Sequence, residues 1–305
     1  MVMKKQISIQ SFFEKYPDDE SCYRYLAEEK WKDGFHCQKC GCNQYGKGYT
    51  LYARRCKSCR YDESVTANTM FHKCKFGIQK AFIALFRIGS KKKGISSIEL
   101  SDEIDVNQKT AWLFRRKAQQ AMKSKSPVIL EGPVHIDEFG VGGHRANMQG
   151  RSLAGKKHAQ VAVEVKEDGR MGRAYALSIA DFTTPSLRRV FDWCVHPMAD
   201  VRVDGFYGYR ALMVEYPNME YELSDGGRNF KEIHLVILNM KNWLRGIHHH
   251  CSKEYFENYL DEFFYRFNRR GKNIRKNILG NLIHRFVSSP PLTYVDIAGL
   301  CGLSG

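Results

Sequence analysis

The 305-residue chain has no apolar run approaching the roughly 18 to 20 residues that span a bilayer, and Met1 to Gln10 lack the apolar stretch of a secretory signal. A membrane protein and an exported one are therefore set aside, and an intracellular location is expected. No sequence period repeats, and no low-complexity tract exceeds Lys91 to Lys93, which excludes a solenoid and a disordered tail. Acid is also in short supply. There are 33 Asp and Glu against 48 Lys and Arg, a formal charge of +15, and such a balance calls for a polyanionic partner, most often nucleic acid. The deficit is local: 25 cations face 13 acids before residue 127, and 23 face 20 after it. A boundary is expected in Lys123 to Pro133, where a basic helical pattern gives way to Ser, Pro and Gly.

Cysteine is not scarce, with 10 residues, but in a long chain without a secretory signal thiols serve metals more readily than disulfides. Cys37-Gln-Lys-Cys40 and Cys56-Lys-Ser-Cys59 form two C-x2-C knuckles whose spacing lets four thiolates reach one tetrahedral Zn2+. Four sulfurs leave no open position, so the ion is expected to be structural. Cys42, Cys74, His36 and His72 are the alternative ligands, and free buried cysteines the bland explanation. Nearby Arg54, Arg55, Lys57 and Arg60 are candidates for phosphate contact.

Next, apolar spacing predicts a helix over Ile78 to Ile88 and a second one opening at Ser96, with Glu99 completing a capping-box pattern. A turn at Asp105-Val106-Asn107 precedes a third helix, Gln108 to Met122. This is the order of a helix-turn-helix. Gln108, Lys109 and Thr110 would read base edges, while Arg115, Arg116 and Lys117 would meet phosphates. An ordinary three-helix packing unit is the alternative.

From Val134 onward the pattern reads strand, strand, strand, helix, strand, helix, strand, helix. The fold class expected is therefore α/β, an RNase H-like mixed sheet flanked by helices, preceded by the zinc ribbon and the helix-turn-helix unit. In that topology the first and fourth strands are neighbours, so Asp137 and Asp204 would share a metal. Two carboxylates about 4 Å apart repel by roughly 4 kcal/mol at an effective dielectric near 20, and a divalent cation relieves this. Oxygen ligands favour Mg2+ or Mn2+. On the later helix, at about 100° per residue, His234, Lys241 and Arg245 share one face, whereas Asn239 falls about 140° from His234. His234 is thus the candidate third group, with Asn239, Glu138 and Glu262 as alternatives. Of His248-His249-His250, at most one is expected near the site.

The segments HCQKC, RRCKSC, HIDEFGVGG, VRVDGFYGY and IHLVILNMKNWLRGIHHH resemble those of bacterial insertion-sequence transposases with an N-terminal zinc ribbon and a catalytic domain of the DD(E/N/H)K type. The resemblance implies Asp137, Asp204, His234 and Lys241 as catalytic residues. His234 stands where related enzymes carry Glu. It further implies metal-dependent cleavage of DNA at element ends and transfer of the strand to target DNA, a homo-oligomer, and a bacterial, nucleoid-associated protein of the cytoplasm. Arg245, Arg269 and Arg270, with Arg266, Lys272, Arg275 and Lys276, would clamp the duplex. Expected domains are 1–75 with the ribbon, 76–126, 127–286 with catalysis, and a tail over 287–305. A regulator without catalysis and a nuclease unrelated to transposition are the rival functions.

Overall fold

The computed structural model describes residues 8–142, 155–223, 225, 228–248 and 251–299. They divide between two compact units, Met1–Met122 with Arg269–Gly305, and Lys123–Asn268.

The first unit opens with α1 (Ile9–Lys15) and α2 (Asp19–Lys30). The α2 start is a capping box, in which the Asp18 carboxylate accepts from the Ser21 N–H at 2.8 Å and the Ser21 hydroxyl accepts from the Asp18 N–H at 3.3 Å. Three short antiparallel strands follow, β1 (Tyr45–Lys47), β2 (Arg54–Cys56) and β3 (Asp62–Glu63). Then come α3 (Ile78–Ser90), α4 (Ser97–Ile104) and α5 (Gln108–Met122). Ser96 caps α4 by accepting the Glu99 N–H at 3.1 Å, and Asp105 ends it in the left-handed region. Charge is also buried here. Lys30, 9% exposed in its side chain, meets Glu63, 1% exposed, at 2.7 Å and donates to the carbonyls of Ser64 and Ala67. Lys30→Met would strand the Glu63 carboxylate without its partner, so urea unfolding should show a loss of about 3 to 5 kcal/mol. A loss under about 1 kcal/mol would deny the pair that role.

The second unit holds β4 (Val134–Val141), β5 (Lys157–Val165), β6 (Met171–Ile179), α6 (Thr184–Cys194), β7 (Val201–Asp204), a 3-10 helix (Tyr207–Val214), β8 (Met219–Glu222), α7 (Lys231–Ile247) and α8 (Phe256–Phe267). The sheet runs β6-β5-β4-β7-β8. Its β5 is antiparallel to β4 and β6, whereas β4, β7 and β8 are parallel. Strand alternation gives the sheet two apolar faces. Val134, Ile136, Val201 and Val203 pack with Leu187, Val190 and Phe191 of α6 and with Tyr209. Phe139, Val161 and Val163 pack on the other side with Ile233, Val236, Ile237 and Met240 of α7 and with Tyr259, Leu260 and Phe264 of α8. Helix α8 ends at Phe267, where Asn268 still donates its N–H to the Phe264 carbonyl at 2.9 Å and its side-chain amide exchanges two 2.8 Å hydrogen bonds with the backbone of Ala174 on β6.

The chain then contributes α9 (Lys272–Arg275), α10 (Ile278–Val287) and α11 (Tyr294–Gly299) to the first unit. Residues 269–286 therefore lie outside the unit that carries the five-stranded sheet, unlike the expected 127–286 domain. The cause is the apolar face of α10. Leu282 and Ile278 close on Gly89 of α3, and Phe286 stacks against Phe71 and Phe114 with ring centroids 4.9 and 5.4 Å away. Among the described residues, no helix is long and apolar enough to cross a membrane.

Candidate functional site

The two cysteine knuckles meet as their spacing requires. Cys37 Sγ lies 3.6 Å from Cys59 Sγ and Cys40 Sγ 3.6 Å from Cys56 Sγ, with all four sulfurs within 4.8 Å of one another. A zinc–sulfur bond of about 2.3 Å gives tetrahedral sulfur–sulfur edges of about 3.8 Å, so this donor set fits Zn2+. Each knuckle closes through a residue in the left-handed region. Gly41 donates its N–H to the Cys37 carbonyl, and Arg60 donates its own to that of Cys56. The N–H groups of Cys59 and Ser58 lower the pKa of the Cys56 thiol, whereas burial and the hydrogen bonds of the neighbouring sulfurs raise that of Cys59, so protons are shared unevenly within the quartet. The Arg54 guanidinium lies between the Trp31 and Tyr45 rings, 4.4 and 4.1 Å from their centroids, so it serves packing within the ribbon. Cys42 lies outside the quartet, its sulfur accepting from the Gln44 N–H at 3.4 Å.

A second cluster forms in the other unit, where β7 ends beside the middle of β4. Pairing between these strands ends at Ile136↔Val203, while β4 continues beside β5 as far as Val141↔Lys157. Beyond Ile136 the β7 side of β4 is thus open, and Asp137, Glu138 and Asp204 each bring a carboxylate oxygen there, all within 4.8 Å. Pleat alternation sends Asp137 to the α7 face and Glu138 to the α6 face, and the notch where β7 stops lets them converge. Asp137 accepts from the Glu138 N–H at 2.8 Å, and Asp204 accepts from the Phe206 N–H at 3.1 Å, which shapes the turn after β7. Glu138 entered the sequence reading only as an alternative. Its signal was adjacency to Asp137, which strand alternation argued against.

From α7, His234 Nε2 reaches 3.2 Å from Asp137 Oδ2. Two and three turns on, at about 3.6 residues per turn, Lys241 and Arg245 share that side. Burial pulls the Lys241 ammonium below its ordinary value, Arg245 and Lys156 act in the same direction, and Asp137 opposes them. Asn239 is exposed on α7. Glu262 is fully buried and pairs with Arg266 at 3.4 Å, apart from the carboxylate cluster. Among the three consecutive histidines, His248 is buried against the Trp243 and Tyr259 rings at 4.9 and 4.7 Å, whereas His249 and His250 lie outside the described residues.

The cations proposed for DNA divide differently from the sequence expectation. Gln108 and Lys109 are exposed at the start of α5, with the Gln108 amide donating to Ser97 Oγ at 3.1 Å. Arg115 and Arg116 are 2% and 4% exposed, and Arg116 donates to Gln119 Oε1 at 2.8 Å with its guanidinium 5.3 Å from the Trp112 ring. A side chain held in this way has no open surface to offer a phosphate, so neither arginine is placed as expected. Arg245 and Arg270 are exposed and Arg269 half-buried, the last two in the unit that contains α5.

Two family profiles match the chain, described as an ISXO2-like transposase domain over residues 129–268 and a transposase zinc-ribbon domain over residues 17–62. No curated protein matches it. The first match covers the carboxylate cluster with α7, and the second covers all four zinc-spaced cysteines. The chain belongs to the insertion-sequence transposases that carry an N-terminal zinc ribbon, DNA-binding and DNA-cleaving enzymes that move a mobile element.

Proposed function

We propose that this transposase works by the DDE-type route, cutting DNA at the element ends and joining the freed strand to target DNA with a hard divalent cation at Asp137, Glu138 and Asp204. The observation that carries the reading is the convergence of three carboxylate oxygens within 4.8 Å where β7 ends beside the parallel strand β4. An all-oxygen donor set of this size suits Mg2+ or Mn2+. Bound there, the cation would stabilise charge developing on the attacking and leaving oxygens of an in-line displacement. The protein's own groups supply the rest. His234 orients Asp137 through its 3.2 Å contact. Lys241 and Arg245, on the same side of α7, place and neutralise a phosphate of the bound strand.

The sheet order, with its single antiparallel β5, supports an RNase H-like fold for this unit. For the other unit, the left-handed turn at Asp105 between α4 and α5 supports a helix-turn-helix that presents Gln108 and Lys109 to base edges. Arg269 and Arg270 add charge for the duplex backbone. Pairing two element ends calls for more than one copy of the chain, in keeping with the homo-oligomer its family resemblance implies.

Incubation with end-bearing DNA and Mg2+ tests the reading, which requires both cut and joined products. Cutting without joining would favour a simple nuclease. In the same assay His234→Ala should lose about 10- to 100-fold in rate, the usual cost of removing a group that orients a metal ligand, while Asn239→Ala stays near the parent. The reverse order would exchange the two assignments.

A further inference from the structure

The loop after Asp204 brings a tyrosine to the far side of the carboxylate cluster. Gly208 makes this approach possible: a Cβ there would stand 2.6 Å from the Phe206 ring, 3.0 Å from Leu187 Cδ1 and 3.1 Å from the Phe182 carbonyl. The next residue, Tyr209, is fully buried, with its ring in the apolar layer under α6. Gln160, also fully buried, donates from Nε2 to Tyr209 Oη at 3.3 Å, and burial, followed by the charge of the neighbouring Glu138 carboxylate, holds the phenol's pKa well above its ordinary value. Register explains the grouping, because Gln160 on β5 lies directly opposite Glu138 on β4. With Gln160 as donor to the phenol oxygen, the phenol proton is left for Glu138.

We propose that Tyr209, oriented by Gln160, is a positioning residue that fixes Glu138 as a third oxygen ligand beside Asp137 and Asp204. Glu138 belongs by strand alternation to the α6 face, where Asp137 and Asp204 are not. A glutamate free to rotate on that face would sample many rotamers. One that accepts the Tyr209 proton keeps one oxygen anchored and turns the other to the notch at the end of β7. This inference rests on the cation site proposed above, and it adds a residue that touches neither cation nor DNA. Groups of this kind usually change metal affinity by about 10- to 100-fold.

The test is Mn2+ binding by the zinc-loaded full chain without DNA, followed by titration calorimetry and by the electron paramagnetic resonance of free Mn2+. Four variants are compared with the parent: Asp204→Asn, Glu138→Gln, Tyr209→Phe and the Tyr209→Phe/Glu138→Gln pair, each shown to be folded by circular dichroism at the titration temperature. Tyr209→Phe should raise the Kd about 10- to 100-fold, and Glu138→Gln should raise it at least as much. The pair should bind no more weakly than Glu138→Gln alone, since Tyr209 acts through Glu138. Strand cleavage by Tyr209→Phe should recover at high Mn2+, which a merely structural defect would not allow. Parent-like Mn2+ affinity in Tyr209→Phe, or additive losses in the pair, would overturn the proposal. Parent-like affinity in Asp204→Asn would instead remove the cation site beneath it, so the two failures are distinguishable.

Discussion

Asp204→Asn should lower cleavage and joining of element ends by roughly 10³-fold or more while leaving end binding within about two-fold of the parent. The substitution keeps shape and the acceptor for the Phe206 N–H, so the turn after β7 is preserved. What it removes is one of three negative charges gathered within 4.8 Å. A cation at such a site contributes several kcal/mol of transition-state charge stabilisation, and each 1.36 kcal/mol is tenfold in rate. Losing about 4 kcal/mol of that contribution gives the stated factor. Asp137→Asn should cost at least as much, because it also weakens the contact with His234. Gel-resolved products and a mobility-shift assay on the same preparations separate chemistry from binding. A DNA-binding regulator would show no loss in either variant.

Removing zinc should have an equally large effect on a different quantity. The ribbon's strands are two or three residues long, and its packing is confined to rings such as Phe35 against Tyr45, with centroids 5.2 Å apart. A unit of this size gains little from its own core, whereas a structural zinc site is worth about 10 kcal/mol or more in apparent binding free energy. Chelation, or Cys56→Ser, should therefore release one zinc per chain and unfold the ribbon. Metal analysis, with loss of amide dispersion over residues 37–63, would show it. Cys42→Ser is the matched control and should keep its metal, since that sulfur stands outside the quartet. Zinc loss in the control but not in Cys56→Ser would mean that the ligands have been misassigned.

Much of both units was legible because their signals are local or periodic. The strand opening at Val134 and the helix Gln108–Met122 stand where the sequence pattern predicts them. The apolar stripe of α7 predicted the face that buries Ile233, Val236 and Met240, and so placed His234 and Lys241 on the opposite side. Features that depend on tertiary fit were not legible. Arg115 and Arg116 read as surface cations because arginine is rarely buried, and only the packed structure shows Arg116 bonded to Gln119 beside Trp112. The apolar face of α10 could have served either unit, and nothing in its own residues names Gly89 as its seat. Glu138 was underrated for a geometric reason. Alternation separates it from Asp137, and the early end of β7 that reunites them is a property of pairing, not of the strand's sequence.

Crystals of the protein soaked in Mn2+ and measured at the manganese absorption edge offer the most direct test. The account predicts an anomalous peak about 2.1 to 2.2 Å from carboxylate oxygens of both Asp137 and Asp204, a distance typical of small octahedral cations. Carboxylates turned apart with no peak between them, under conditions where the enzyme cuts DNA, would contradict it.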